Sequence, residues 1–164
     1  MPSRVYTQRE RRLLSEWLAL YKAGARIIVN PRLGSAPIRT AAPAGSANPS
    51  QIQQNAMMYA DAVVIYPDRA ELYEAKIFLD GRAIGQLLEY QVALPASPDF
   101  IEWRGLPLTL HVVAATARAT TLTLCDRLRI AVHLYTPGWV VENFAAWFGA
   151  QSRPLQPASG AITA

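Results

Sequence analysis

Apolar residues recur along this chain in two patterns, helical spacing in some stretches and short runs of Val, Ile, Leu and Tyr in others, and their order sets the expected elements. In QRERRLLSEWLALYKA, residues 8–23, Leu13, Leu14, Trp17, Leu18 and Tyr21 share one helical face, with Thr7 placed to cap the helix and Gly24 to stop it. ARIIVN, residues 25–30, reads as a short strand ending at Asn30-Pro31. From Pro31 to Gln54 the chain turns to Pro, Ala, Ser, Gly and Asn without a period, the pattern of a long loop or insertion. ADAVVIY (60–66) and ELYEAKIFL (71–79) are strand-like runs joined by the turn sequence Pro67-Asp68-Arg69-Ala70, and together they predict a hairpin. Asp80-Gly81 ends it. RAIGQLLEYQVAL (82–94) then carries Ile84, Leu87, Leu88 and Val92 as the stripe of a second helix that stops before Pro95. LTLHVVAA (108–115) and LRIAVHLY (128–135) predict two further strands around a short helix near 120–127, and a last amphipathic helix begins near Pro137. The tail from 151 to 164, with Pro154, Pro157 and Gly160, is expected to be disordered.

This order predicts a single α/β domain over 1–150, with helices on a central mixed sheet. At 164 residues, 51% of them hydrophobic, the chain can bury a core without staples. Arg, Asp, Glu or Pro interrupts every apolar run, so no membrane span is expected. The charged N-terminus lacks the apolar stretch of a secretory leader, which points to the cytoplasm, or to a host cytoplasm or virion for a phage-encoded chain. Cys125 is the sole cysteine, so an intrachain disulfide or a thiolate zinc site has no second ligand. His111 and His133 each stand alone in an apolar strand and read as hydrogen-bonded structural histidines, and Trp103, Trp139 and Trp147 read as packing residues. No GxSxG, Walker-type loop, CxxC or HExxH occurs, which leaves serine hydrolase, NTPase and zinc readings without support.

A net charge of +4 is compatible with a polyanionic partner. More telling is that Lys22 and Lys76 are the only lysines, and Lys76 lies inside an apolar strand. Its neighbourhood is the informative part of the chain. If Asp68-Arg69 closes the hairpin, position 61 faces 76 and 63 faces 74; if the turn runs from Tyr66 to Arg69, position 61 faces 74 directly. Side chains alternate along a strand, so either register puts Asp61, Glu74 and Lys76 on one sheet face, with facing Cβ atoms roughly 5 Å apart. Two carboxylates beside one cation are costly to bury unless they are paired or bind a metal. Asp61 and Glu74, with the Ala75 carbonyl and waters, suit the octahedral oxygen preference of Mg²⁺. Lys76 is then placed either to orient a water and lower its pKa, or to stabilise charge growing on phosphorus, as metal-assisted phosphodiester hydrolysis requires.

The pattern D…ExK followed by QxxxY, here Asp61, Glu74-Ala75-Lys76 and Gln86 with Tyr90, resembles the PD-(D/E)XK or restriction-endonuclease-like nuclease superfamily, and QLLEY is similar to its RecB-like branch. The resemblance implies a core of helix, three strands, helix and strand over residues 8–115. It also implies Asp61 and Glu74 as ligands of Mg²⁺, with Mn²⁺ as substitute, and Lys76 as the catalytic lysine. Gln86 would hold the reacting phosphate or a metal-bound water, and Tyr90 would pack or contact DNA. An acidic residue of the first helix, Glu16 ahead of Glu10, would complete the site. Two departures stand out: the literal Pro67-Asp68 falls in the turn, about 10 Å along the strand from Glu74, and the interval from ExK to Gln86 is short. Arg9, Arg11 and Arg12, with Arg4, form either a phosphate-contacting cluster or a solvated helix face. The function expected is a metal-dependent nuclease acting on DNA in repair, recombination, mobile-element or phage DNA processing. The alternative is a catalytically silent nuclease-like domain that binds DNA or serves assembly in a phage particle or other complex, as a homo-oligomer or with other chains.

Overall fold

The computed structural model describes residues 4–34 and 58–149, and its centre is a five-stranded mixed sheet flanked by helices. In chain order the elements are α1 (Arg4–Tyr21), β1 (Arg26–Val29), β2 (Arg32–Leu33), β3 (Met58–Tyr59), β4 (Ala62–Ile65), β5 (Ala70–Leu79), α2 (Gly81–Ala93), two 3-10 segments (Leu94–Ala96 and Pro98–Trp103), β6 (Leu108–Ala117), α3 (Ala119–Arg127), β7 (Ile130–Leu134) and α4 (Gly138–Phe148). The strands lie in the order β1-β4-β5-β6-β7. The β1-β4 and β4-β5 pairs are antiparallel, and the β5-β6 and β6-β7 pairs are parallel. β2 and β3 form a separate antiparallel pair.

β5 and β6 are covered on both faces, as long parallel neighbours must be, and this gives the sheet two apolar layers. On one face Val63, Leu72, Val112 and Ala114 pack with Ile84, Leu87 and Tyr90 of α2 and Cys125 of α3. On the other, Val64, Tyr73, Ala75, Ile77 and Val113 pack with Leu13, Leu14, Trp17 and Leu18 of α1 and Val140 and Phe144 of α4.

The expected elements all form, with three corrections. α1 begins at Arg4, so Thr7 lies inside the helix and does not cap it; Gly24, at φ +83, makes the left-handed turn that follows its end. Part of the 31–54 stretch is strand, because Arg32 and Leu33 pair with Tyr59 and Met58, while 35–54 and the 151–164 tail lie outside the described residues. α2 buries Ala83, Ile84, Leu87, Tyr90 and Ala93, leaving Leu88 and Val92 37% and 80% exposed. The helix carries apolar residues on more than one face, and the face with Tyr90 meets the sheet. Among the described residues no helix is long and apolar enough to cross a membrane.

Candidate active site

The β4-β5 hairpin closes through Tyr66–Arg69, with Tyr66 N–H donating to the Arg69 carbonyl at 2.9 Å and Ile65 facing Ala70. Of the two registers with the required parity, this is the one that sets position 61 opposite 74: Ala62 faces Tyr73, and the next pair outward is Asp61 and Glu74. β4 stops at Ala62, whereas β5 runs on to Leu79. Beyond Tyr73, therefore, the edge of β5 has no strand from β4 to accept its amides, and buried amides require acceptors. Carboxylates take that place. Ala75 N–H donates to Asp61 Oδ2 at 2.8 Å, and Ile77 N–H donates to Glu10, which α1 brings to the same edge.

Glu74 and Lys76 alternate with the residues that face α1 and so point toward the α2 layer, beside Val112 and Ala114 of β6. Glu74 is 2% exposed, and Lys76 Nζ donates to its Oε1 at 2.6 Å. From α2, Gln86 Nε2 donates to the Tyr90 hydroxyl at 3.2 Å. Burial, reinforced by the nearby Glu74 charge, pushes the Tyr90 hydroxyl up to about 12, so it remains a protonated donor beside the carboxylates. The structure thus brings together Asp61, Glu74, Ala75, Lys76, Gln86 and Tyr90.

Charge is unevenly balanced here. Burial, and then the Asp61 charge, pushes Glu74 up to about 8 against the opposing pull of Lys76. Asp61 is raised by burial despite the Ala75 amide, Lys76 and Arg11, and Glu10 is raised by burial, with Lys76 opposing and Asp61 adding. Burial works against the Lys76 ammonium, but Glu74, Glu10 and Asp61 outweigh it and hold the proton. Burial is the first cause at each, and Lys76, with Arg11 beside Asp61, does not offset it, so all three carboxyls are held above their usual range. Such a set of hard oxygen donors fits a divalent cation, and the Ala75 carbonyl points to the same strand edge as its amide. In the structure the carboxylates are turned to protein partners, and among the described residues no three His, Cys, Asp or Glu side chains are gathered as metal ligands.

Glu16 does not join the cluster, which corrects its expected place as the acidic residue of the first helix. Its carboxylate accepts from Arg12 Nε and from Trp139 Nε1, both at 2.8 Å. Glu10 takes that place, and the sequence held the signal: Glu10 precedes Leu13 and Leu14 by three and four positions on the buried stripe, whereas Glu16 falls off it. The arginines divide as well. Arg11 lies beside Asp61, while Arg9 and Arg12 stack over the rings of Trp147 and Trp139, 4.0 and 4.5 Å from their centroids. Asp68 is an exposed turn residue paired with Arg69.

A second polar network lies on the α1 face. Lys22 Nζ and the Tyr73 hydroxyl each reach Glu71 Oε2 at 2.7 Å. His111 and His133 do not stand alone: His111 Nδ1 and His133 Nε2 lie 3.0 Å apart, and Thr109 Oγ1 is 2.8 Å from His111 Nε2. No protein-family model and no curated protein matches the chain, so any assignment of chemistry rests on these residues themselves.

Proposed function

We propose that this chain is a divalent-metal-dependent nuclease that hydrolyses DNA phosphodiester bonds on a PD-(D/E)XK-type core. The observation that carries the reading is the meeting of Asp61, Glu74 and Lys76 at the open edge of β5, with Glu10 alongside and Tyr90 and Gln86 above. The element order agrees with it, since α1, β1, β4, β5, α2 and β6 follow as helix, three antiparallel strands, helix and parallel strand.

Asp61, Glu74 and the Ala75 carbonyl would hold Mg²⁺, or Mn²⁺ in its place, with Glu10 the neighbouring acid. When bound, the ion supplies Lewis acidity toward a phosphate oxygen and lowers the pKa of a water. Lys76, kept protonated by the carboxylates around it, donates to the attacking water or to the oxygen on which charge grows. Tyr90, fixed by Gln86, offers a neutral donor to a phosphate oxygen on the α2 side. Arg11 adds positive charge next to Asp61.

The test is cleavage of labelled single-stranded and duplex DNA with Mg²⁺, with Mn²⁺ and with chelator. Metal-dependent cleavage that Lys76→Ala removes supports the reading. An inactive wild type with both metals refutes it.

A further inference from the structure

Asp61 belongs to the carboxylate cluster and also to the wall of a cleft of about 240 Å³ between α1 and the end of β1. Two residues buried to 4% exposure, Leu14 and Leu18, form its apolar inner wall, and Val29, 65% exposed, extends that wall to the surface. Its rim is polar. Arg11 and Ser15, four residues apart, line one side of it from α1, and Asn30 lines the other. Asn30 sits at φ 51, a left-handed conformation uncommon outside glycine, and its N–H donates to the Asp61 carbonyl at 2.9 Å. The turn that closes the cleft is therefore fastened to the residue that opens the hairpin, and backbone held this way is concentrated at functional sites.

Size limits the occupant. Sites for whole drug-sized ligands start at roughly 300 Å³, so this cleft admits one base or one sugar-phosphate unit. A base within a duplex is covered on both faces by its neighbours and must leave the stack to enter such a recess. An apolar wall beside a guanidinium matches the two halves of a nucleotide, the base against Leu14, Leu18 and Val29 and the phosphate toward Arg11.

We propose that this cleft receives one unpaired nucleotide next to the phosphate at Asp61, making single-stranded DNA or the unpaired end of a duplex the substrate class. Its place beside the cut rests on the nuclease reading; its capture of an unpaired nucleotide is measurable without it. Ser15→Phe fills the rim and Val29→Glu sets a carboxylate in the apolar wall against the base, both at exposed positions outside the carboxylate cluster. Fluorescence anisotropy of labelled oligothymidylate and of a blunt duplex, in Ca²⁺ to suppress cleavage, should show wild type preferring the single strand. Each variant should weaken single-strand binding about tenfold, the scale of one lost base contact, with an unchanged melting temperature. Equal affinity for the two probes, or single-strand binding that both variants leave intact, overturns the inference even where wild type cuts DNA. Single-strand binding lost in both variants upholds the cleft even where wild type cuts nothing, and that second result sinks the nuclease reading alone.

Discussion

Among the described residues Lys76 is the one ammonium facing Asp61, Glu74 and Glu10, and Lys76→Ala should separate its chemical role from its structural one. A positioned donor that stabilises developing charge is worth on the order of 10² or more in rate, so single-turnover cleavage should fall by at least about that factor. Metal affinity should hold or rise, because a competing cation is gone. The stability cost follows from Glu74, whose Oε1 lies 2.6 Å from Lys76 Nζ. Stripping the partner from a buried ionised carboxylate costs about 3–5 kcal/mol, but Glu74 has a proton available. With its pKa raised from 4.5 to about 8, the native state keeps a proton through that window that the unfolded chain has lost. At about 1.36 kcal/mol per pH unit, the Glu74 contribution to wild-type stability therefore declines by about 5 kcal/mol between pH 4.5 and 8 and then levels off. Without Lys76, burial and Asp61 act unopposed, the pKa climbs further, and the decline continues above pH 8. Thermal melts followed by circular dichroism should show wild type and variant close at pH 6 and diverging above pH 8. Cleavage within about threefold of wild type would refute the catalytic role, and a melting gap that stays constant across pH 8 would refute the electrostatic account.

Asp61→Asn removes an anionic ligand, so calorimetric Mn²⁺ affinity should drop about tenfold or more, with partial recovery of cleavage at high Mn²⁺; Asp68→Ala, in the exposed turn, should cut at nearly the wild-type rate, and the reverse pattern would place the chemistry in the turn. Glu10→Gln should depress cleavage strongly while Glu16→Gln leaves it nearly intact, since only Glu10 lies at the β5 edge; equal effects would remove Glu10 from the site. Burial pushes His111 down to about 4 from 6.5, so the native ring stays neutral while the unfolded one takes up a proton. The His111 contribution to stability should thus be complete above pH 6.5 and fall by about 3 kcal/mol as pH drops to 4. His111→Gln should flatten that acid limb in melts between pH 4 and 7, and an unchanged limb would assign it to other groups.

The hairpin face was legible because strand side chains have period two and both plausible turns keep the parity of 61, 74 and 76; the choice between turns was not, since each preserves that parity. Glu10 could have been ranked above Glu16 from the stripe of α1 alone. α2 misleads for the opposite reason: Leu88 and Val92 are apolar yet exposed, and local pattern cannot tell which apolar face meets the sheet until Tyr90 and Gln86 are seen beside Glu74. The His111–His133 contact was out of reach, because it depends on the register of β6 against β7, two strands joined through α3. Arg9 and Arg12 look like Arg11 in sequence, and only the placement of α4 diverts them onto Trp147 and Trp139.

Both lysines of the chain end on buried glutamates of β5, and the contrast between the two pairs argues which one carries chemistry. Glu71 and Glu74 are 5% and 2% exposed and point to opposite sheet faces. Burial raises Glu71, but Lys22 and the Tyr73 hydroxyl bond one oxygen and Arg69 reaches the other, and the net result is a carboxyl held below its usual range. A carboxylate so fully supplied with donors is a strut tying α1 to the sheet, with little left to offer a ligand. Glu74 has the Lys76 ammonium as its charged donor and Asp61 as a like-charged neighbour, and it is held well above its usual range. Burial raises both carboxyls, more strongly at Glu74, and the ample positive charge around Glu71 is what turns its net direction downward. The unmet demand lies on the face that also holds Tyr90 and at the edge where Ala75 and Ile77 direct their amides to Asp61 and Glu10, which is where added positive charge would be most stabilised.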